Sequence, residues 1–199
     1  HRTRLEIDLS SVAQNLHQFK AGLKPDTRIM AMVKAFSYGA GSYEIANLLQ
    51  FHHVNYIAVA YVDEGVELRK AGIRMPIMVM NTAPSSFSSL VEYNLEPEIY
   101  SLGFAQELNA YLQQEGISYF PVHIKLDTGM HRLGLEPADT GHFIDLLGRS
   151  STFRVKTVFT HLVASENPEH DNFTIIQLQR FDHCCHLLSA QLGYAFIKH

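Results

Sequence analysis

The main chemical signal in the sequence is a set of cations and histidines placed where short apolar runs give way to polar loops. Met30-Ala31-Met32-Val33 leads directly into Lys34, which is followed by Ala35-Phe36-Ser37-Tyr38-Gly39-Ala40-Gly41. An amine must lose its proton before it attacks a carbonyl, and removal from water favours the neutral form. The same placement also suits a solvated loop lysine. Tyr38, Gly39 and Gly41 point toward the chemical reading, because glycines let a backbone approach a phosphate and a following helix offers free N–H groups. A second segment runs from Val122 through His123, Lys125, Asp127, Thr128 and Gly129 to Arg132 and Gly134. Lys125 lies inside an apolar run, where a charge is costly unless paired or modified. Arg132 is a permanent cation suited to an anionic oxygen. Asp127-Thr128-Gly129 can equally be a plain turn with a salt bridge to Arg132. Phe159-Thr160-His161 and Ile197-Lys198-His199 each close a run with histidine. One such residue is ordinarily a hydrogen-bonded core histidine; two of them, with Lys34 and Arg132 at neighbouring strand ends, suggest one shared pocket.

His183-Cys184-Cys185-His186 has metal-ligand residue types, but successive helical residues point about 100° apart. Only His183 and His186 can share a face, so no metal is expected and the cysteines read as reduced, buried thiols.

These groups require a frame. Seven short runs are rich in β-formers: Ile29 to Val33, Tyr56 to Ala60, Pro76 to Met80, Glu96 to Tyr100, Val122 to Leu126, Val155 to Thr160 and Ala195 to Lys198. Helical patterns with apolar residues three or four apart lie between them. Ser10 or Asp8 is placed to cap a first helix whose Val12, Leu16 and Phe19 share one face. Gly72, Gly116, Gly148 and Gly193 stand where helices should end. Apolar residues at consecutive strand positions predict a parallel sheet covered by helices. The alternation predicts an α/β fold, either a doubly wound sheet or a (β/α)8 barrel. A barrel needs eight strands, so the pattern reads as one domain over residues 1–199 that is truncated before the eighth strand.

In these segments the sequence resembles the alanine racemases of the pyridoxal-phosphate, barrel-domain type. The carrying motifs are Glu6-Ile7-Asp8-Leu9-Ser10, Lys34-Ala35-x-x-Tyr38-Gly39-x-Gly41, Asp63-Glu64-Gly65-x-Glu67-Leu68-Arg69, Lys125-x-Asp127-Thr128-Gly129-Met130-x-Arg132-x-Gly134, Thr160-His161 and His199. The resemblance implies a PLP-binding TIM-type barrel and the cofactor pyridoxal 5'-phosphate, carried by Lys34 as a Schiff base. It implies that Lys34 is one of two acid–base groups interconverting L- and D-alanine for peptidoglycan synthesis. Tyr38 would bind the cofactor phosphate, Arg132 its phenolic oxygen, and His161 and Met80 would lie against its ring. His199 would support that site. Lys125 matches a lysine often carbamylated in the family, a change that turns a buried cation into an anion able to orient Arg132. The second base would be a tyrosine in a C-terminal β domain, reached across a homodimer interface; no such domain is present, so these residues alone are expected to be inactive.

Phe36, Ala40 and His131 depart from the family's usual asparagine, histidine and glycine. The Lys34-Ala35-Phe36-Ser37-Tyr38-Gly39 variant looks like the branch fused behind a ligase that adds D-alanyl-D-alanine to the muramyl-peptide precursor. Rival readings are an amino-acid decarboxylase or broad-specificity racemase with the same cofactor and barrel, a non-catalytic pyridoxal-phosphate-binding protein, and a fragment with no ligand. Composition narrows the field. The 199 residues are 46% hydrophobic and 18% charged, as in an ordinary globular domain. A net charge of -4 without basic clusters gives no footprint for nucleic acid or an anionic membrane. No apolar run approaches the roughly 20 residues of a membrane span, and no signal-peptide pattern opens the chain, so a cytoplasmic protein is expected.

Overall fold

The computed structural model describes residues 3–199. They form two compact units, residues 3–82 with Ser88–Leu95, and Ala83–Phe87 with Glu96–His199. The fold is α/β of the TIM-type (β/α)8 class: within each unit the strands are parallel, follow chain order and alternate with helices.

In the first unit, β1 (Met30–Met32), β2 (Tyr56–Tyr61) and β3 (Ile77–Asn81) pair in the order β1-β2-β3. Ile57, Ala58 and Val59 of β2 and Ile77, Met78 and Val79 of β3 are almost wholly buried, which is why these strands show no polar alternation. Helix Leu9–Ala21 is capped by Asp8, whose carboxylate accepts from the Ser10 N–H at 2.9 Å and the Ser11 hydroxyl at 2.7 Å. Ser10 itself lies inside the helix. Leu16 is buried as its spacing predicts, but Phe19 is 74% exposed, so the expected apolar stripe narrows to its middle. At the other end of the unit, Arg69 of helix Val62–Lys70 donates to the carbonyls of Ile73, Met75, Tyr93 and Asn94. One guanidinium thereby fixes the loop that launches β3.

The second unit carries β4 (Glu96–Ile99), β5 (Phe120–Lys125), β6 (Phe153–Phe159) and β7 (Ile197–Lys198), paired in that order. The β5–β6 register slips between Val122 and His123, so Val122 pairs with Val155 but His123 with Thr157. Without that slip His123 would face Lys156, which is exposed. The irregularity keeps His123 and Lys125 on the same face as Thr157 and Phe159. Helices Leu102–Gln114, Pro137–Arg149 and Asp171–Leu192 lie between the strands in sequence. Gly193 ends the last in the left-handed conformation, whereas Gly148 sits within the last turn of Pro137–Arg149 and ends nothing. Cys184 and Cys185 are free and buried; burial pushes the Cys185 thiol up to about 11. Among the described residues no three potential ligands are grouped to hold a metal ion, and no helix is long and apolar enough to cross a membrane.

Candidate active site

Parallel α/β sheets present chemistry at the carboxyl ends of their strands. In the first unit Lys34 stands there, two residues beyond β1 and half-buried. The chain then makes a turn of left-handed helix: Ala35, Phe36, Ser37 and Tyr38 have φ between 51° and 57°. This conformation costs L-residues roughly 1–2 kcal/mol each. Backbone bonds from Ser37 N to Val33 O (3.1 Å), Gly39 N to Ala35 O (3.2 Å) and Gly41 N to Phe36 O (3.0 Å) hold it. Glu64 adds an anchor, accepting from the N–H groups of Ala35 (2.6 Å), Ala60 (2.7 Å) and Tyr61 (3.1 Å). One carboxylate therefore ties the turn after Lys34 to the end of β2. Glu64→Ala is expected to lower stability by about 2 kcal/mol, read from denaturant melts, because a half-buried carboxylate binding three donors disappears.

Within this unit the amine of Lys34 and the hydroxyl of Tyr38 have no hydrogen bond or ion pair with any described residue, and Tyr38 is 69% exposed. The buried Ser37 Oγ also lacks a partner. Met80 is half-buried near the end of β3.

The second unit gathers polar groups on one face of β4 to β7. Lys125, 3% exposed, lies 3.2 Å from the wholly buried Glu98 of β4 and 5.6 Å above the Phe159 ring. The sequence is compatible with either pairing or modification of Lys125; the structure supplies a pair. Burial pushes the Glu98 carboxyl up to about 7 against the pull of Lys125 and Arg132. His199 stacks on the other feature of this face, the same Phe159 ring, at 4.7 Å and 11°. Its Nε2 is 2.9 Å from Thr157 Oγ1, which is 2.9 Å from His123 Nδ1, and His123 Nε2 is 2.9 Å from Glu96 Oε2. For neutral His123 one proton order satisfies the chain: His199 Nε2–H donates to Thr157, Thr157 to His123 Nδ1, and His123 Nε2–H to the Glu96 carboxylate. Burial of the His199 ring, and then repulsion from His123, push its pKa down to about 4, so at neutral pH it is the uncharged donor this order needs.

Arg132 is exposed and makes no side-chain hydrogen bond among the described residues. The salt bridge from Asp127 to Arg132 that the plain-turn alternative would supply is absent among the described residues. Asp127 instead accepts from the Gly129 N–H at 2.9 Å and the His131 N–H at 3.1 Å. Burial opposes its ionisation, but those backbone donors outweigh burial and hold the carboxyl below its usual range. His131 has φ 55°, the region glycine occupies without cost, which explains why glycine would suit this position. His161 is exposed, its carbonyl accepting from the buried Gln177 amide at 3.1 Å. Its imidazole belongs to neither the Phe159 cluster nor the chain ending at Glu96.

Lys125 and His199 thus share the Phe159 face, while Glu96, Glu98, His123 and Thr157 are additions that sequence reading missed. Their signal was present: Glu96-x-Glu98 and His123-x-Lys125 place alternate polar residues on one face of successive predicted strands. Three surface clefts, lined around Arg69 to Asn94, Lys20 to Asn55 and Tyr119 to Tyr194, contain none of the proposed site residues. Taken unit by unit, the residues fit parts of pyridoxal phosphate: in the first, an amine without a described partner suits a carbonyl carbon and a tyrosine hydroxyl in a glycine-bearing turn suits a phosphate; in the second, a guanidinium without a described side-chain hydrogen bond suits an anionic oxygen.

The family model described as "Alanine racemase, N-terminal domain" matches residues 7–199. "Alanine racemase 1" of Clostridium acetobutylicum is 34% identical over 89% of this chain and 46% of its own. The alanine racemase of Nostoc sp. is 36% identical over 84% of this chain and 44% of its own. The solved alanine racemase of Clostridium difficile 630 superposes with TM-score 0.88 at 30% identity, covering 96% of this chain and 53% of that one. The chain spans about half the length of the curated relatives it matches. With its seven parallel strands, its strand-end lysine and a family match over nearly its whole length, the chain belongs to the alanine racemase N-terminal domain family.

Proposed function

We propose that the full-length protein interconverts L- and D-alanine with pyridoxal 5'-phosphate, supplying D-alanine for peptidoglycan in the cytoplasm. The observation that carries this reading is Lys34: a half-buried amine at a strand's carboxyl end, free of any described protein partner. Family membership and relatives named alanine racemase support it; one of those, from Bacillus anthracis, is described with bound L-Ala-P.

When bound, the cofactor supplies an electron-withdrawing ring that stabilises negative charge at the amino acid's Cα. Lys34 would hold the cofactor and, once its amine is released, take the proton from Cα on one face or return it. Tyr38 would donate to the phosphate, and Arg132 would donate to the phenolic oxygen. Met80 and His161 would exclude water beside the ring, and His199, stacked on Phe159, would support the site. Racemisation needs a second acid–base group on the opposite face, which we assign to a tyrosine of a partner subunit in a homodimer.

The test is to incubate the full-length protein with pyridoxal phosphate and L-alanine and measure D-alanine with a stereospecific oxidase. Equal final amounts of the two isomers are expected. Release of carbon dioxide without D-alanine would instead establish the decarboxylase reading.

A further inference from the structure

Lys125 poses a problem of charge that the structure solves in an unexpected way. The resemblance implies a lysine converted to a carbamate, an anion that orients Arg132. Here an anion is already in place. Glu98, on the neighbouring strand β4, is wholly buried, and its Oε1 lies 3.2 Å from Lys125 Nζ. The contact is a buried ion pair, and Lys125 is the one described group that reaches a Glu98 oxygen. Its Oε2 therefore retains full accepting capacity, and Arg132, the other cation acting on Glu98, has no side-chain hydrogen bond of its own among the described residues.

On the racemase reading above, we propose that Glu98 is the built-in anion of this site: it holds Lys125 as an unmodified ammonium and serves as the positioning residue for the Arg132 guanidinium. Carbamylation requires Lys125 to be neutral. Its nitrogen lone pair would attack the carbon of CO2, forming an N–C bond as one C–O π bond opens to an anionic oxygen, and the displaced proton would pass to water. A partner at 3.2 Å that favours the ammonium opposes the first step. The product would set a second anion beside a buried carboxylate, so both would demand the same cation. Burial places the Glu98 carboxyl near 7, so its ionised fraction, and with it the competition, grows as the pH rises through that value.

The experiment is carbon-13 NMR of the full-length holoprotein in ¹³C-bicarbonate at about pH 8, above the Glu98 value near 7, with kcat measured in bicarbonate-free and bicarbonate-containing buffer. Wild type is expected to show no carbamate resonance and a kcat independent of bicarbonate. Glu98→Gln is expected to lose at least about tenfold in kcat and to gain both a carbamate resonance and partial rescue by bicarbonate. A defect in packing alone would not respond to bicarbonate. A wild-type carbamate resonance that disappears in Lys125→Arg would overturn the proposal, as would an unchanged kcat in Glu98→Gln. If Glu98→Gln fails to fold, the wild-type spectrum with its Lys125→Arg control still decides. The NMR readout needs no turnover, so absence of racemase activity would count against the functional reading and leave this one to stand or fall on the resonance.

Discussion

Lys34→Ala in the full-length protein is expected to lower alanine interconversion by about 10⁴-fold or more, and to abolish the visible absorbance of lysine-bound cofactor. Two functions reside on one nitrogen, covalent attachment and proton transfer at Cα, so no neighbouring group can replace it partially. Lys34→Arg is expected to fail almost as completely: a guanidinium keeps the charge and much of the length but does not deprotonate near neutrality. Stability should change little in either variant, because the Lys34 amine has no described partner whose loss would leave a buried polar group unpaired. The decisive combination is therefore a lost rate and lost absorbance with an unchanged denaturant midpoint. Retention of both activity and absorbance in Lys34→Ala would remove the functional reading.

The frame around Lys34 was legible because β2 and β3 are apolar on consecutive positions, the pattern of strands covered on both faces. The predicted runs and the observed strands agree to within a residue or two, from Met30–Met32 to Ile197–Lys198. The local path after Lys34 was not legible. Gly39 and Gly41 signalled a turn, but the positive φ angles begin at Ala35, and nothing in Ala-Phe-Ser-Tyr advertises a left-handed helix. That conformation is held by backbone bonds within the turn and anchored by Glu64, whose sequence role is visible only as one acid in an acidic helix. Glu98 was hidden for a related reason. A carboxylate in an apolar strand becomes meaningful only when the adjacent strand places Lys125 beside it, and the β4–β5 register that does so, with Glu98 opposite His123, is written in neither strand alone. Helix spacing misled at Phe19, where a correctly phased apolar residue points to solvent. Periodicity states which residues share a face; it does not state how much of that face is covered.

The loop that presents Arg132 depends on the absence of a side chain at one position. Gly134 has φ 135°, outside the range of ordinary side-chain-bearing residues, and a Cβ there would lie 2.5 Å from Asp127 N and 2.8 Å from Leu126 C. Both contacts are backbone, so no rotamer change relieves them. Moving the backbone would disturb the bonds from Asp127 N to Leu135 O (2.9 Å), Leu135 N to Lys125 O (2.8 Å) and Gly134 N to Tyr100 O (3.1 Å) that close the loop from Asp127 to Leu135. Gly134→Ala is therefore expected to destabilise the protein by about 3 kcal/mol or more, combining φ strain, overlap and weakened backbone bonds. Equilibrium denaturation measures that loss, and cofactor affinity should fall with it because Arg132 lies within the displaced loop. Gly103 provides the control: it sits in helix Leu102–Gln114, and a Cβ there would meet nothing within 4 Å, so Gly103→Ala should be neutral or stabilising by up to about 1 kcal/mol. Equal effects at both positions would mean that the loop yields freely, and the placement of Arg132 would then have to be set by the charge of Glu98 rather than by the backbone.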